Sequence, residues 1–315
     1  MDLYLSPMKV KMPKPRRKSD ELLKGAFEEN FADFLRFVYP DVDLVVDFDK
    51  GIEFMDKELF SIIPNRERKM DKRVADLLAK LHLKNGSEKW VLLNVEIEGS
   101  DDADFAFRLF QYNYRIRDKY KVSVATIAVF TGGKRQNRPM VYTDELLGTI
   151  VSFKYTTYHV FEHTEAVLLE KQNPFALIVL ACQKALLEGK IPDEELGKER
   201  LTIVKALLTH DYDHDRITKF LVFLKNFIFI DNKDINRIFD QQIEALTRGK
   251  IDMGIIETIK MQERREGKVE GIIEGRVEGR LEEKIEVARE LKKDNFPIEQ
   301  IAKITKLTIK EIEAL

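Results

Sequence analysis

The sequence predicts an α/β domain on a mixed sheet, followed by an all-helical C-terminal region. Three observations carry this. Two alternating apolar runs, Arg73–Leu83 and Trp90–Glu98, flank an Asn85-Gly86 pair and signal an antiparallel hairpin. A helical pattern over Ala103–Tyr120 leads into Ser123–Thr131, a continuous apolar stretch of the kind found in buried parallel strands. After about residue 160 the apolar period becomes helical.

Taken in order, residues 1–18 carry six basic residues and one acid without apolar periodicity, so a flexible basic arm is expected, either solvated or touching phosphates. Ser19 reads as an N-cap for a helix over Asp20–Tyr39, where Leu23, Phe27, Phe31, Phe34, Leu35 and Val38 form one stripe and Pro40 stops the run. Leu44–Phe48, Ile52–Phe54 and Leu59–Ile63 are short strand candidates, and Gly148–Val160 is a further strand. Residues 19–160 therefore form one α/β domain. Residues 161–250 form a helical module with helices at Phe175–Glu188, Glu194–Leu208, Asp215–Phe229 and Lys233–Leu246.

In 251–295, glycine recurs every four residues at Gly267, Gly271, Gly275 and Gly279. Either a long helix lets a partner helix approach closely, as in a homo-oligomer, or it is solvated and frayed by its glycines. Residues 296–315 read as a pair of short helices, a packing module or a DNA reader.

Apolar residues make up 44% of the chain, enough for a core, and charged residues 34%, against roughly 25% in an ordinary domain. The 53 basic and 55 acidic residues leave a net charge of −2, so contact with a polyanion must come from a local patch. The one cysteine, Cys182, excludes an internal disulfide and fits a reducing cytoplasm. The longest apolar run, Phe175 to Cys182, has eight residues, far below the ~20 a membrane span needs. No Walker-type or Gly-x-Gly-x-x-Gly loop supports nucleotide chemistry. His210 and His214 lack further Cys or His partners for a tetrahedral zinc site.

The hairpin holds the candidate chemistry. One row of the first strand is Ala75, Leu77, Ala79, Leu81 and Leu83; the other is Val74, Asp76, Leu78, Lys80 and His82. In the second strand Val91, Leu93, Val95 and Ile97 oppose Leu92, Asn94, Glu96 and Glu98. The apolar rows must share a side, so the numbers of paired residues sum to an even value. A three-residue loop, Asn85 to Ser87, then sets Asp76 opposite Glu96, with Glu98 one step along the same face. Converging carboxylates raise one another's pKa, and a divalent cation is the usual remedy. The alternative is an exposed polar sheet face whose charges reach solvent.

An Asp on one strand and Glu-x-Glu on the next, then a helix and a strand, resembles the PD-(D/E)xK nuclease core. The match is closer to one branch, the Rpn family of recombination-promoting nucleases and YhgA-like transposases. Residues 54–59, Arg73-Val74-Ala75-Asp76, Leu83-Lys84-Asn85-Gly86, Trp90 to Gly99 and Phe105 to Arg115 carry the likeness, which spans roughly residues 20–160. It implies a Mg²⁺- or Mn²⁺-dependent DNA endonuclease in the cytoplasm, with Asp76 and Glu96 as metal-binding acids. Glu98 falls where the superfamily has lysine and this branch usually glutamine. It becomes either a further ligand or a water-orienting group of the wrong charge. Lys80 lies about 13 Å along the strand from Asp76 and is a poor substitute.

On the next helix Phe105, Leu109, Tyr112 and Ile116 form the core stripe. Arg108, Gln111 and Arg115 form a polar stripe that the resemblance places beside the active site, as solvated residues or phosphate contacts. Arg117 and Lys119 read as solvated. The rival reading is a nuclease fold without activity that binds nucleic acid or protein.

Overall fold

The computed structural model describes residues 17–55, 59, 74–96, 104–251, 253, 285, 287–293, 296–305 and 312, without the side chains of 17–20, 74–76, 96, 299 and 303. The chain forms two compact units, one running to Leu246 and one from Thr247.

In the first unit, strands β1 (Ile52–Phe54), β2 (Val74–His82), β3 (Glu88–Glu96), β4 (Val124–Phe130) and β7 (Thr156–His159) form a mixed sheet in the order β1-β2-β3-β4-β7. The first two pairings are antiparallel, and β3-β4 and β4-β7 are parallel. Helix α3 (Phe105–Tyr120) connects β3 to β4, as the parallel pairing requires. It is fastened to β4 by Asn113, whose Nδ2 donates to the Val124 carbonyl and Thr126 Oγ1. Arg117 is exposed, as expected, and also donates to Asn113 Oδ1 at 2.6 Å and to the Val124 carbonyl at 3.0 Å.

The single N-terminal helix resolves into α1 (Arg17–Glu29) and α2 (Phe31–Val38), so Ser19 lies inside the first turn rather than capping it. Asn30 breaks the run. Its side chain donates to the Ala26 carbonyl and accepts from Arg216, an alternative to regular helical bonding. Leu44–Phe48 is not a strand but lies across two 3₁₀ turns, Val42–Leu44 and Phe48–Lys50, with one bridge between Val46 and Leu83. Of Leu59–Ile63 only Leu59 is described, and it is helical.

Gly148–Val160 divides at Tyr155. Its first half is β6 (Thr149–Lys154), which pairs with an unforeseen strand, β5 (Val141–Leu146), as a separate two-stranded arm. The arm turns at Leu147-Gly148, both with positive φ, as a tight hairpin demands.

After β7 come α4 (Glu165–Glu170), α5 (Pro174–Ala185), α6 (Asp193–Leu208), α7 (His214–Phe227) and α8 (Lys233–Leu246). Asn173 caps α5 through the Phe175 N–H, and Asp213 caps α7 through the Arg216 N–H. These helices, expected as a module apart from 19–160, share its compact unit. Phe175 packs on Phe27 and Phe34, and Arg216 joins Asp33 and Asn30. Arg200 is fully buried, 4.1 Å over the Phe239 ring, and donates to the Asn236 side chain and to the Lys225 and Ile228 carbonyls. Cys182 is buried in α5, and burial pushes its thiol up to about 12.

Lys184 sits largely buried between Glu165, at 2.6 Å, and Glu199, at 2.5 Å. Burial alone would lower its pKa, but the two carboxylates outweigh that and raise it. Lys184→Met removes the ammonium but keeps the apolar stem, and is expected to cost about 1–3 kcal/mol at pH 7 in urea unfolding. Because the folded pKa is raised, the wild-type advantage is fully present below the ordinary lysine pKa and fades only as pH climbs through the folded value. The gap between the proteins should therefore stay constant from neutral to mildly alkaline pH and close in strong alkali. A gap that closes near neutrality would contradict this assignment.

In the second unit, residues 287–293 and α9 (Ile298–Thr305) are helical. Ala288, Ile301 and Ile312 form a small core with Ile285, Leu291, Ile298 and Ala302, and Lys292 donates to the Ile312 carbonyl. The helix pair thus draws its packing partner from the preceding segment. Gly267, Gly271, Gly275 and Gly279 lie outside the described residues, as do residues 1–16 of the basic arm, whose last two residues open α1. Among the described residues no helix is long and apolar enough to cross a membrane.

Candidate functional site

The hairpin keeps the expected parity but not the expected register. Leu83 and Ser87 close a three-residue loop, Lys84 to Gly86, through the Leu83 N–H to the Ser87 carbonyl. Gly86 has φ +83°, and Asn85 Oδ1 accepts from the Ser87 N–H. A three-residue loop needs its left-handed residue last, and only glycine takes that conformation cheaply, so the loop ends at Gly86. The ladder therefore pairs Asp76 with Asn94 and Val74 with Glu96. Positions 76 and 96 share a face as diagonal neighbours, roughly 7–8 Å apart in such a ladder, rather than standing directly opposite. Glu98 lies outside the described residues.

Two rows cross the sheet here. Asp76, Asn94, Ala128 and Thr157 form one; Val74, Glu96, Phe130 and His159 form the next. The rows lie at the carboxyl edge of β3, β4 and β7, where ligands of open α/β sheets collect.

This face is not an exposed polar one. Leu78 and Leu92 pack with Tyr112 and Ile116 of α3, while Ala128 and Phe130 pack with Phe105, Ala106 and Leu109. Leu78, Leu92 and Asn94 are completely buried. Lys80 is committed elsewhere, 3.1 Å from Glu53 and 3.4 Å from Glu88.

The polar stripe of α3 does not face solvent as one unit. Arg108 is only 6% exposed and turns inward with the core residues, whereas Gln111 and Arg115 are half-buried at the margin. The Arg108 guanidinium lies 5.4 Å from the Phe105 ring instead of being offered outward.

His159 is buried in the outer row, and its Nδ1 accepts from the Phe161 N–H. Burial and then the nearby Arg138 charge hold its pKa down, so it is neutral at pH 7. His210 donates or accepts at Gln172 and begins no metal cluster. Among the described residues no three His, Cys, Asp or Glu side chains come together to hold a metal; those of Asp76, Glu96 and Glu98 are not among them.

Sequence reasoning missed the loop after β4. Thr131 to Met140 carries the exposed cations Lys134, Arg135 and Arg138, and no acid occurs between Val122 and Thr143. Gln136 folds it back, its Oε1 accepting from the Gly132 N–H at 2.7 Å. A Cβ on Gly132 would meet that oxygen at 2.7 Å, so any side chain there would push the Gln136 amide out of this bond. The signal was legible: two glycines and three cations directly after a buried parallel strand.

No family model, curated protein or solved structure matches the chain.

Proposed function

We propose that the chain is a Mg²⁺-dependent DNA endonuclease of the PD-(D/E)xK type, in a cytoplasmic setting, with recombination or transposition as its context. The observation that carries this reading is the placement of positions 76 and 96 on one helix-covered face at the carboxyl edge of the sheet. Positions 76 and 96 share their face with fully buried Leu78, Leu92 and Ala128, and two ionised carboxylates brought together there would be costly without a cation, for which oxygen donors suit Mg²⁺ or Mn²⁺. Asp76 and Glu96 would hold the ion, which polarises a phosphate and lowers the pKa of a bound water. Lys134, Arg135 and Arg138, on the loop that follows the β4 edge, supply local positive charge that a net charge of −2 does not.

A second reading, a nuclease fold that only binds, is favoured by neutral Asn94 opposite Asp76 and by Glu98 where glutamine or lysine is usual. A plasmid-nicking assay separates the two. Nicking that requires Mg²⁺ and vanishes in Asp76→Ala supports the nuclease; binding that persists in EDTA, without nicking in Mg²⁺ or Mn²⁺, supports the binding module.

Glu98 gives a finer test. Three carboxylates leave excess negative charge after one divalent ion binds, which repels the incoming phosphate. Glu98→Gln is expected to raise nicking up to about tenfold, equivalent to roughly 1.4 kcal/mol of relieved repulsion. A fall in both rate and metal affinity would instead make Glu98 a ligand.

A further inference from the structure

We propose that the basic loop after β4 and the aromatic surface of α3 and the β5–β6 arm together bind a single DNA strand, with phosphates on the loop and unstacked bases on the rings. The inference rests on the nucleic-acid reading above but not on the metal centre.

Helix α3 buries Phe105, Leu109, Tyr112 and Ile116, yet it carries a second aromatic row on another face. Phe107 and Tyr114 are 38% and 58% exposed. Phe110 links them, lying 6.4 Å from Tyr114 and 5.2 Å from Tyr142 of the arm, with interplanar angles of 28° and 22°. Phe107 lies 5.1 Å from Tyr142. Rings stacked in this near-parallel way at the surface suit flat partners.

The row is physically continuous with the basic loop. Phe110 touches Phe153, Phe153 touches Tyr155, and the Tyr155 hydroxyl donates to the Pro139 carbonyl at 2.5 Å. The Tyr155 N–H also donates to the Met140 carbonyl. Lys134, Arg135 and Arg138 are exposed, and among the described residues none of them is held in an ion pair. Lys134 rests 5.5 Å over the Phe161 ring. The acids Asp144 and Glu145 on β5 mark the end of the favourable surface.

Charge alone would serve any polyanion. The rings select further, because duplex bases are stacked on each other and hidden from an aromatic surface, whereas single-strand bases expose their faces. An apolar protein partner would use the rings but gain nothing from three adjacent cations.

The test is fluorescence anisotropy of the full chain in EDTA, with a dye-labelled oligothymidylate and a duplex of equal length. The single strand should bind more tightly than the duplex. Phe107→Leu and Tyr114→Leu, which keep apolar bulk but remove the ring, should each weaken single-strand binding roughly tenfold. Tyr114→Trp should retain it. Replacing Lys134, Arg135 and Arg138 by glutamine should flatten the log–log salt slope by about two, at ~0.7 per lost phosphate contact. Equal affinity for both DNA forms, leucine variants that bind like wild type, loss in Tyr114→Trp, or an unchanged slope would each overturn the proposal. Binding is read in EDTA and nicking in the separate plasmid assay, so ring-dependent single-strand binding with no nicking in Mg²⁺ or Mn²⁺ would count against the nuclease reading alone, and nicking without ring-dependent binding against this one alone.

Discussion

On the proposed nuclease reading, replacing Asp76 with alanine is expected to lower Mg²⁺-dependent nicking about a thousandfold or more, with the melting temperature held within a few degrees. A metal ion contributes several kcal/mol of charge stabilisation, and each 1.36 kcal/mol is tenfold in rate. The position lies on the covered face at the carboxyl edge, next to Leu78 of the core and across from Asn94. On the proposed reading the substitution removes a metal ligand and one of two like charges on this face, so its effect falls on rate rather than on folding. Asp76→Asn should behave the same way, since it keeps shape but loses charge. A large rate loss accompanied by a collapse in stability would identify Asp76 as structural instead.

Arg200 should give the converse result. Its guanidinium is fully buried, stacks on Phe239 and serves the Lys225 and Ile228 carbonyls and the Asn236 side chain. Arg200→Leu leaves those acceptors unserved in the core, at about 1–3 kcal/mol each for groups that find no other partner. The expected destabilisation is about 3–5 kcal/mol, a drop of about 10 °C in melting temperature, readable by calorimetry. Arg200→Lys should rescue little, because a single ammonium cannot reproduce the planar fork or its stacking. A variant that melts with wild type would show these hydrogen bonds to be dispensable.

The sequence carried the main architecture because its periods were strong. The helix at α3, the buried parallel strand β4 and the four longer helices after residue 170 appear close to their expected bounds. Parity of the hairpin followed from its apolar rows, but register did not. That depended on which loop residue takes positive φ, and Gly86 answers it. Asn30 was hidden inside a helical stripe, where only a distant contact with Arg216 reveals its role. Strand β6 lay within the expected Gly148–Val160 strand, but its partner β5 escaped because a two-stranded arm facing solvent on most sides imposes no core alternation. Arg108 and Arg200 look like surface residues in the sequence; their burial depends on helices α3 and α6 packing against elements far along the chain. The sequence placed Asp76 and Glu96 on one face, while the covering of that face by α3 emerges only in the fold.

The most direct test of the proposed metal centre is the position of a bound ion. In crystals grown or soaked with Mn²⁺, the anomalous difference map should show an ion bound between the carboxylates of Asp76 and Glu96, and the peak should be absent in Asp76→Ala crystals treated identically. An ion found only elsewhere, or the same peak retained in Asp76→Ala, would contradict the assignment of this edge of the sheet as the catalytic centre.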